Sequence, residues 1–227
     1  MSKKIENQEE IIVADAVSKT EQFFEKNGKW CVVALAVVLL LVGCGYAYKY
    51  LVWDKSVATA SELIIEAEER FADATPNYDL ALNGDETGAG FLAVAEQYGS
   101  TPAGNIAKHY AGICYLHLGN LENAAKYLAS YKSVKGIAGE IINAQNLGLQ
   151  GDVAVEQGDY AKAAKFYAKA VKASKNNYTT PLYLCKKAEA LKADGKANEA
   201  KACYKTVVEQ YPSSVEAREA EKAIGSL

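Results

Sequence analysis

From Trp30 to Tyr48 the chain reads WCVVALAVVLLLVGCGYAY, 19 residues without a charge. At ~1.5 Å per residue such a helix covers roughly 28 Å, close to the hydrocarbon core of a bilayer. Trp30 at one end and Tyr46, Tyr48, Tyr50 and Trp53 at the other sit where amphipathic rings prefer the headgroup layer, with Lys29 and Lys49 placed to snorkel outward. A transmembrane helix over residues 30–52, centred on Leu35 and Leu40, follows from this pattern. Ahead of it, Ser18-Lys19-Thr20-Glu21 has the form of a capping box and Asn27-Gly28 supplies a stop, which predicts a short separate helix carrying Phe23 and Phe24. Behind it, Val57, Ala60, Leu63, Ile64, Ala67 and Phe71 recur at helical spacing with Glu62, Glu66, Glu68, Glu69 and Arg70 largely opposite. A connecting helix is therefore expected over residues 53–75. Pro76, Asn77, Asn83, Gly84, Gly88 and Gly90 predict a loop in the next stretch.

Beyond residue 100 the dominant feature is self-similarity. Gly119, Gly158 and Gly195 recur with comparable neighbours, each between an apolar helical segment and a second helix. The first unit holds Gly112, Tyr115, Gly119 and Ala124, and the second Gly151, Gly158, Tyr160, Ala163, Tyr167 and Ala170. The third holds Ala188, Gly195, Ala200, Tyr204 and Pro212. Small residues permit close helix approach and aromatic residues fill the space between neighbouring hairpins. Ala95-Glu96-Gln97-Tyr98-Gly99-Ser100 echoes Val208-Glu209-Gln210-Tyr211-Pro212-Ser213, which marks a divergent earlier unit. Val215 to Ile224 reads as a final capping helix.

Charge narrows the function. Lys and Arg number 25 against 28 Asp and Glu, so no basic excess argues for nucleic acid as a partner. Five cysteines and two histidines contain no C-x-x-C and no H-x₃₋₅-H, which removes a zinc module. Cys185 and Cys203 fall where a bridge across the third hairpin is available, although buried free thiols are the default expectation. His109 and His117 lie two helical turns apart and cannot share a metal. Gly84-Asp85-Glu86-Thr87-Gly88 lacks the preceding strand and the G-K-[ST] of a phosphate loop. No catalytic set, cofactor or small-molecule substrate is expected, and the chain is read as a non-enzyme.

The repeated residues resemble the tetratricopeptide repeat, with turn intervals of 39 and 37 in place of 34 and with Lys108, Leu147 and Leu184 where helix A usually carries Trp. The resemblance implies an α-solenoid, which with the apolar segment makes the expected fold all-α: one N-terminal transmembrane helix followed by a tetratricopeptide-repeat α-solenoid. It also implies a concave groove lined by successive A helices. Counting from the turn glycines places His109, Ile113, Leu116 and His117 there, then Gly148, Asp152 and Val155, then Cys185, Glu189 and Lys192. The Lys and Asn of a carboxylate clamp are not at these places.

The expected organisation is a cytoplasmic tail (1–29), the span (30–52), the connecting helix (53–75), a loop with a divergent repeat (76–104), and the repeats with their cap (105–227). Lys3, Lys4, Lys19, Lys26 and Lys29 precede the span while Lys49 and Lys55 follow it, which puts the N-terminus in the cytoplasm and the repeats in the periplasm of a bacterium. Leu41-Val42-Gly43-Cys44 resembles a lipobox, so a lipoprotein acylated at Cys44 is the alternative. Anchor plus repeats resemble the YfgM-like family, the ancillary subunit of the SecYEG translocon, in its Bacteroidota-type members. Leu80-Ala81-Leu82-Asn83-Gly84, Glu96 to Thr101, Ala107 to Leu116 and Tyr178-Thr179-Thr180-Pro181 carry that likeness. It implies an accessory that holds a membrane-anchored peptidyl-prolyl-isomerase-like chaperone near the translocon and helps emerging secretory chains avoid misfolding. An assembly scaffold for envelope or cell-division machinery is the competing expectation.

Overall fold

A computed structural model describes residues 2–226, and of residues 2–20, 22 and 24 the backbone alone. The chain divides into two compact units, the first ending at Lys55 and the second beginning at Ser56.

In the first unit one helix, α1, runs from Ser2 to Tyr48 and passes into a single π-helical turn, Lys49–Trp53. The expected cap at Ser18 and stop at Asn27-Gly28 are corrected by this, because α1 continues through both. A glycine ends a helix by turning left-handed, and Gly28 keeps a negative φ. The side chain of Ser18 lies outside the described residues. Between Val32 and Val42 every Val and Leu side chain is at least 51% exposed, and Trp30, Tyr46 and Tyr50 exceed 70%. A stripe of this size exposed on all sides of a helix lacks the protein cover that a core helix has.

The second unit begins within α2 (Asp54–Ala72), whose Ala60, Ile64 and Ala67 are buried, the face that the apolar spacing predicts. The stretch expected as a loop is more ordered than that. A short helix, α3 (Tyr78–Asn83), starts where the Asn77 side chain accepts a bond from the Leu80 N–H at 3.0 Å. A two-stranded hairpin follows, β1 (Gly84–Asp85) against β2 (Gly88–Ala89), antiparallel with Gly84 opposite Ala89. The Asp85 carboxylate accepts from the Thr87 N–H at 2.9 Å and the Gly88 N–H at 3.2 Å, and Arg70 donates to it from α2 at 2.8 Å. Side-chain bonding of this kind holds a chain in a turn that hydropathy alone reads as irregular.

Helices α4 (Phe91–Gln97) and α5 (Pro102–His117) pack with α2 and α3 around Leu82, Phe91, Val94 and Cys114. The remaining helices come as hairpins: α5 with α6 (Leu121–Ser130), α7 (Ile137–Glu156) with α8 (Tyr160–Ala173), and α9 (Thr179–Ala193) with α10 (Ala197–Gln210), closed by α11 (Val215–Gly225). Each hairpin turns the same way. Gly119, Gly158 and Gly195 have φ of 74°, 75° and 77°, which an L side chain adopts only with strain. Around Gly158, its own N–H bonds the Val155 carbonyl and the Asp159 N–H bonds the Ala154 carbonyl, both at 2.8 Å. The other two turns repeat this pair of bonds, which satisfies carbonyls that the ending helix leaves unpaired.

Ala124, Ala163 and Ala200 occupy equivalent places and each is 0% exposed, while Leu128, Tyr167 and Tyr204 fill the row four residues later. Gly112 and Gly151 face this second row. A Cβ on Gly112 would lie 2.5 Å from Leu128 Cγ, and one on Gly151 would lie 2.6 Å from the Tyr167 ring. The echo between residues 95–100 and 208–213 has a structural counterpart. Thr101 caps α5 by accepting from the Gly104 N–H, and Ser214 caps α11 by accepting from the Ala217 N–H, both at 3.1 Å. Cys185 and Cys203, placed for a possible bridge, are free thiols and buried.

Candidate functional site

Helices α5, α7 and α9 stand in sequence along one side of the second unit and leave a groove of about 840 Å³. Leu116 and His117 of α5, Leu121 of α6, Asp152, Val155 and Glu156 of α7, and Lys186, Glu189, Ala190 and Ala193 of α9 line it. Tyr160 and Tyr167 reach it from α8. Its volume falls in the range of about 300–1,000 Å³ that is usual for ligand pockets.

Five of the ten positions counted from the turn glycines come together here: Leu116, His117, Asp152, Val155 and Glu189. Lys192 is exposed but does not line the groove. The other four are corrected to core positions. His109 is 2% exposed, Ile113 and Cys185 are each 6%, and Gly148 is buried where a Cβ would meet the Tyr183 ring at 2.2 Å. The expected face is turned too far toward the N-terminal ends of the A helices. At the row that begins with His117, the equivalents Glu156 and Ala193 both line the groove. The offsets of 39 and 37 that give Val155 and Lys192 from Leu116 give these two from His117. Lys186 and Ala190 belong to no row counted from the glycines and were missed.

A polar knot closes one wall. Lys186 Nζ lies 2.8 and 2.9 Å from the two carboxylate oxygens of Asp152, and the Tyr167 hydroxyl donates to Asp152 Oδ1 at 2.6 Å. The ammonium also stands 5.9 Å from the Tyr167 ring centroid. Charge-assisted bonds of this kind fix side chains more firmly than neutral ones. Burial, the bond to Asp152 and the charge of that carboxylate all hold the Tyr167 hydroxyl protonated well above the usual tyrosine range. Tyr183 is pushed up to about 12 by burial and by Asp152. Glu189 is held above the ordinary carboxylate range by burial, with Glu219 adding to the effect and Lys186 opposing it.

The histidines have structural surroundings. His109 Nδ1 lies 3.2 Å from the Asn146 side-chain amide, and its ring meets Tyr110 and Tyr131 at centroid distances of 5.6 and 5.7 Å. Burial pulls it down to about 4, with a bond to Gln145 opposing the shift, so it is neutral at pH 7. His117 stacks on Tyr78 at 4.1 Å, nearly parallel. Burial pushes the Cys114 and Cys185 thiols up to about 12, which makes them poor nucleophiles. Among the described residues no group of three His, Cys, Asp or Glu side chains stands close enough to hold a metal ion. What the groove offers is binding chemistry: aliphatic walls, tyrosines and a few placed charges.

Residues 154–224 match the tetratricopeptide repeat family. No curated protein matches the chain. With the geometry above, the chain is an all-α protein with an N-terminal apolar helix and a tetratricopeptide-repeat α-solenoid. Such repeats are scaffolds for protein–protein interaction, and the partner they imply is another protein. One helix near the N-terminus is long and apolar enough to cross a membrane.

Proposed function

We propose that this chain is a membrane-anchored, non-enzymatic scaffold that holds a partner polypeptide in the groove between α5, α7 and α9. The observation that carries the reading is that groove, whose lining mixes Leu116, Leu121 and Val155 with charged and phenolic groups. The uncharged Trp30 to Tyr48 segment supplies the anchor, its apolar surface exposed on every side. Tethering to a membrane raises the effective concentration of a weak binder beside its partner, so modest groove contacts suffice.

The specific role we propose is that of a periplasmic accessory of the Sec translocon, with the N-terminus in the cytoplasm and a membrane-anchored isomerase-like chaperone as partner. It rests on the likeness in Glu96 to Thr101 and Tyr178 to Pro181 and on the lysine bias before the span. Purification of the full chain from native membranes in mild detergent is expected to recover translocon subunits at constant ratio. Recovery of only unrelated envelope complexes would contradict the translocon role and leave the scaffold reading in place.

A further inference from the structure

The groove is charged in one direction. Three carboxylates line it, Asp152, Glu156 and Glu189, against one ammonium, Lys186. The ammonium is already engaged, since Lys186 and Asp152 form an ion pair at 2.8 Å. Among the described residues neither Glu156 nor Glu189 belongs to an ion pair. Glu189 is exposed on the groove wall, where partial desolvation and a second carboxylate, Glu219, disfavour its charge while Lys186 favours it. A cation arriving at Glu189 offsets the repulsion from Glu219 and pairs directly with a carboxylate that makes no ion pair among the described residues. Beside these acids Leu116, Leu121 and Val155 offer aliphatic surface, and Ala190 and Ala193 leave room for an incoming side chain.

We infer that the groove binds a segment of a partner protein that carries Lys or Arg flanked by aliphatic side chains, the base meeting Glu156 and Glu189 and the aliphatic groups resting on Leu116, Leu121 and Val155. This rests on the scaffold reading of the same groove and names the chemistry of what it holds. An acidic segment is disfavoured there, because like charges across an interface are repelled and no free cation lines the site to receive them. Each exposed or half-exposed charge pair contributes little alone, so two such contacts give a preference of roughly threefold to tenfold.

The test uses the full chain in phosphatidylcholine nanodiscs, with empty discs as background, and fluorescence anisotropy. Three labelled peptides share one leucine-rich frame and carry lysine, glutamine or glutamate at the same positions. The lysine peptide is expected to bind at least threefold more tightly than the glutamine peptide and tenfold more tightly than the glutamate peptide. In the Glu156→Gln/Glu189→Gln variant the lysine peptide weakens at least threefold while the glutamine peptide is unchanged, and raised salt narrows the difference. Equal binding of all three peptides overturns the inference, as does a preference for glutamate or lysine binding that the variant leaves intact. A groove filled by a second copy of the chain would show as no binding together with a dimeric mass in the discs, and that also overturns it. Loss of this inference leaves the scaffold reading standing wherever native purification still recovers a stoichiometric partner; the scaffold reading falls if that recovery fails as well.

Discussion

At the scale of single residues, His109 carries a consequence for stability that its neighbours do not. It is 2% exposed and its folded-state pKa is about 4 against 6.5 in the unfolded chain. Between those values the unfolded chain binds the extra proton and the folded chain does not, so stability rises with pH across this window. The contribution is complete above pH 6.5 and is lost as pH falls toward 4, on the order of 3 kcal/mol in all. Chemical unfolding of the detergent-solubilised chain is expected to show that loss, and a His109→Gln variant is expected to lose distinctly less over the same interval. Equal slopes in both proteins would contradict a buried neutral histidine. In sequence this residue reads as a groove candidate because it sits at the right offset from Gly119. Its withdrawal into the core depends on Asn146 of α7 and on Tyr131 beyond the end of α6, contacts made between segments that no local pattern encodes.

At the scale of elements, the hairpins were legible because their signals are local and repeated. A glycine at positive φ, a small residue facing a large one, and a polar residue beginning the next helix recur in the sequence at nearly fixed intervals. The caps differ in one respect. Asn120 and Asp159 accept from the N–H groups of Asn123 and Lys162 at 3.1 and 3.0 Å, whereas Lys196 makes no such side-chain bond. Asp159→Ala is therefore expected to cost about 1 kcal/mol and Lys196→Ala only a few tenths, as measured by urea unfolding. Comparable losses at the two sites would show that capping does not govern these helix starts. Two elements were not legible, for opposite reasons. Helix α3 and its hairpin are stabilised by the side chains of Asn77, Asp85 and Arg70 in a stretch where glycine and proline suggest only irregularity. Helix α1 ignores Asn27-Gly28 because a stop signal acts only where the glycine turns left-handed.

At the scale of the whole molecule, the chain joins an apolar helix long enough to cross a membrane to a repeat domain that carries a groove. The run from Trp30 to Tyr48 carries no charge, and water does not tolerate so large an exposed apolar surface on a monomer. The full chain is expected to stay in the membrane pellet after high salt and alkaline carbonate, and removal of residues 30–52 is expected to release it. Release of the intact chain by carbonate alone would mean that the segment does not cross the bilayer. The apolar helix was the plainest feature in the sequence, since its length and its lack of charge are read directly from the residues. The groove was only half legible, because a count from the turns fixes the order of residues along a helix but not how far each helix is rotated against its neighbours. That rotation is set by packing, as at Gly148 against Tyr183 and Gly151 against Tyr167.

The most direct test of the scaffold is photocrosslinking in native membranes from a reactive residue placed at Val155, inside the groove, and at Lys165, exposed on α8 and absent from the groove lining. A discrete adduct to one protein from position 155, with none from position 165, is the predicted result. Adducts of equal yield from both positions, or none from position 155 in membranes that contain the intact chain, would contradict a partner held between α5, α7 and α9.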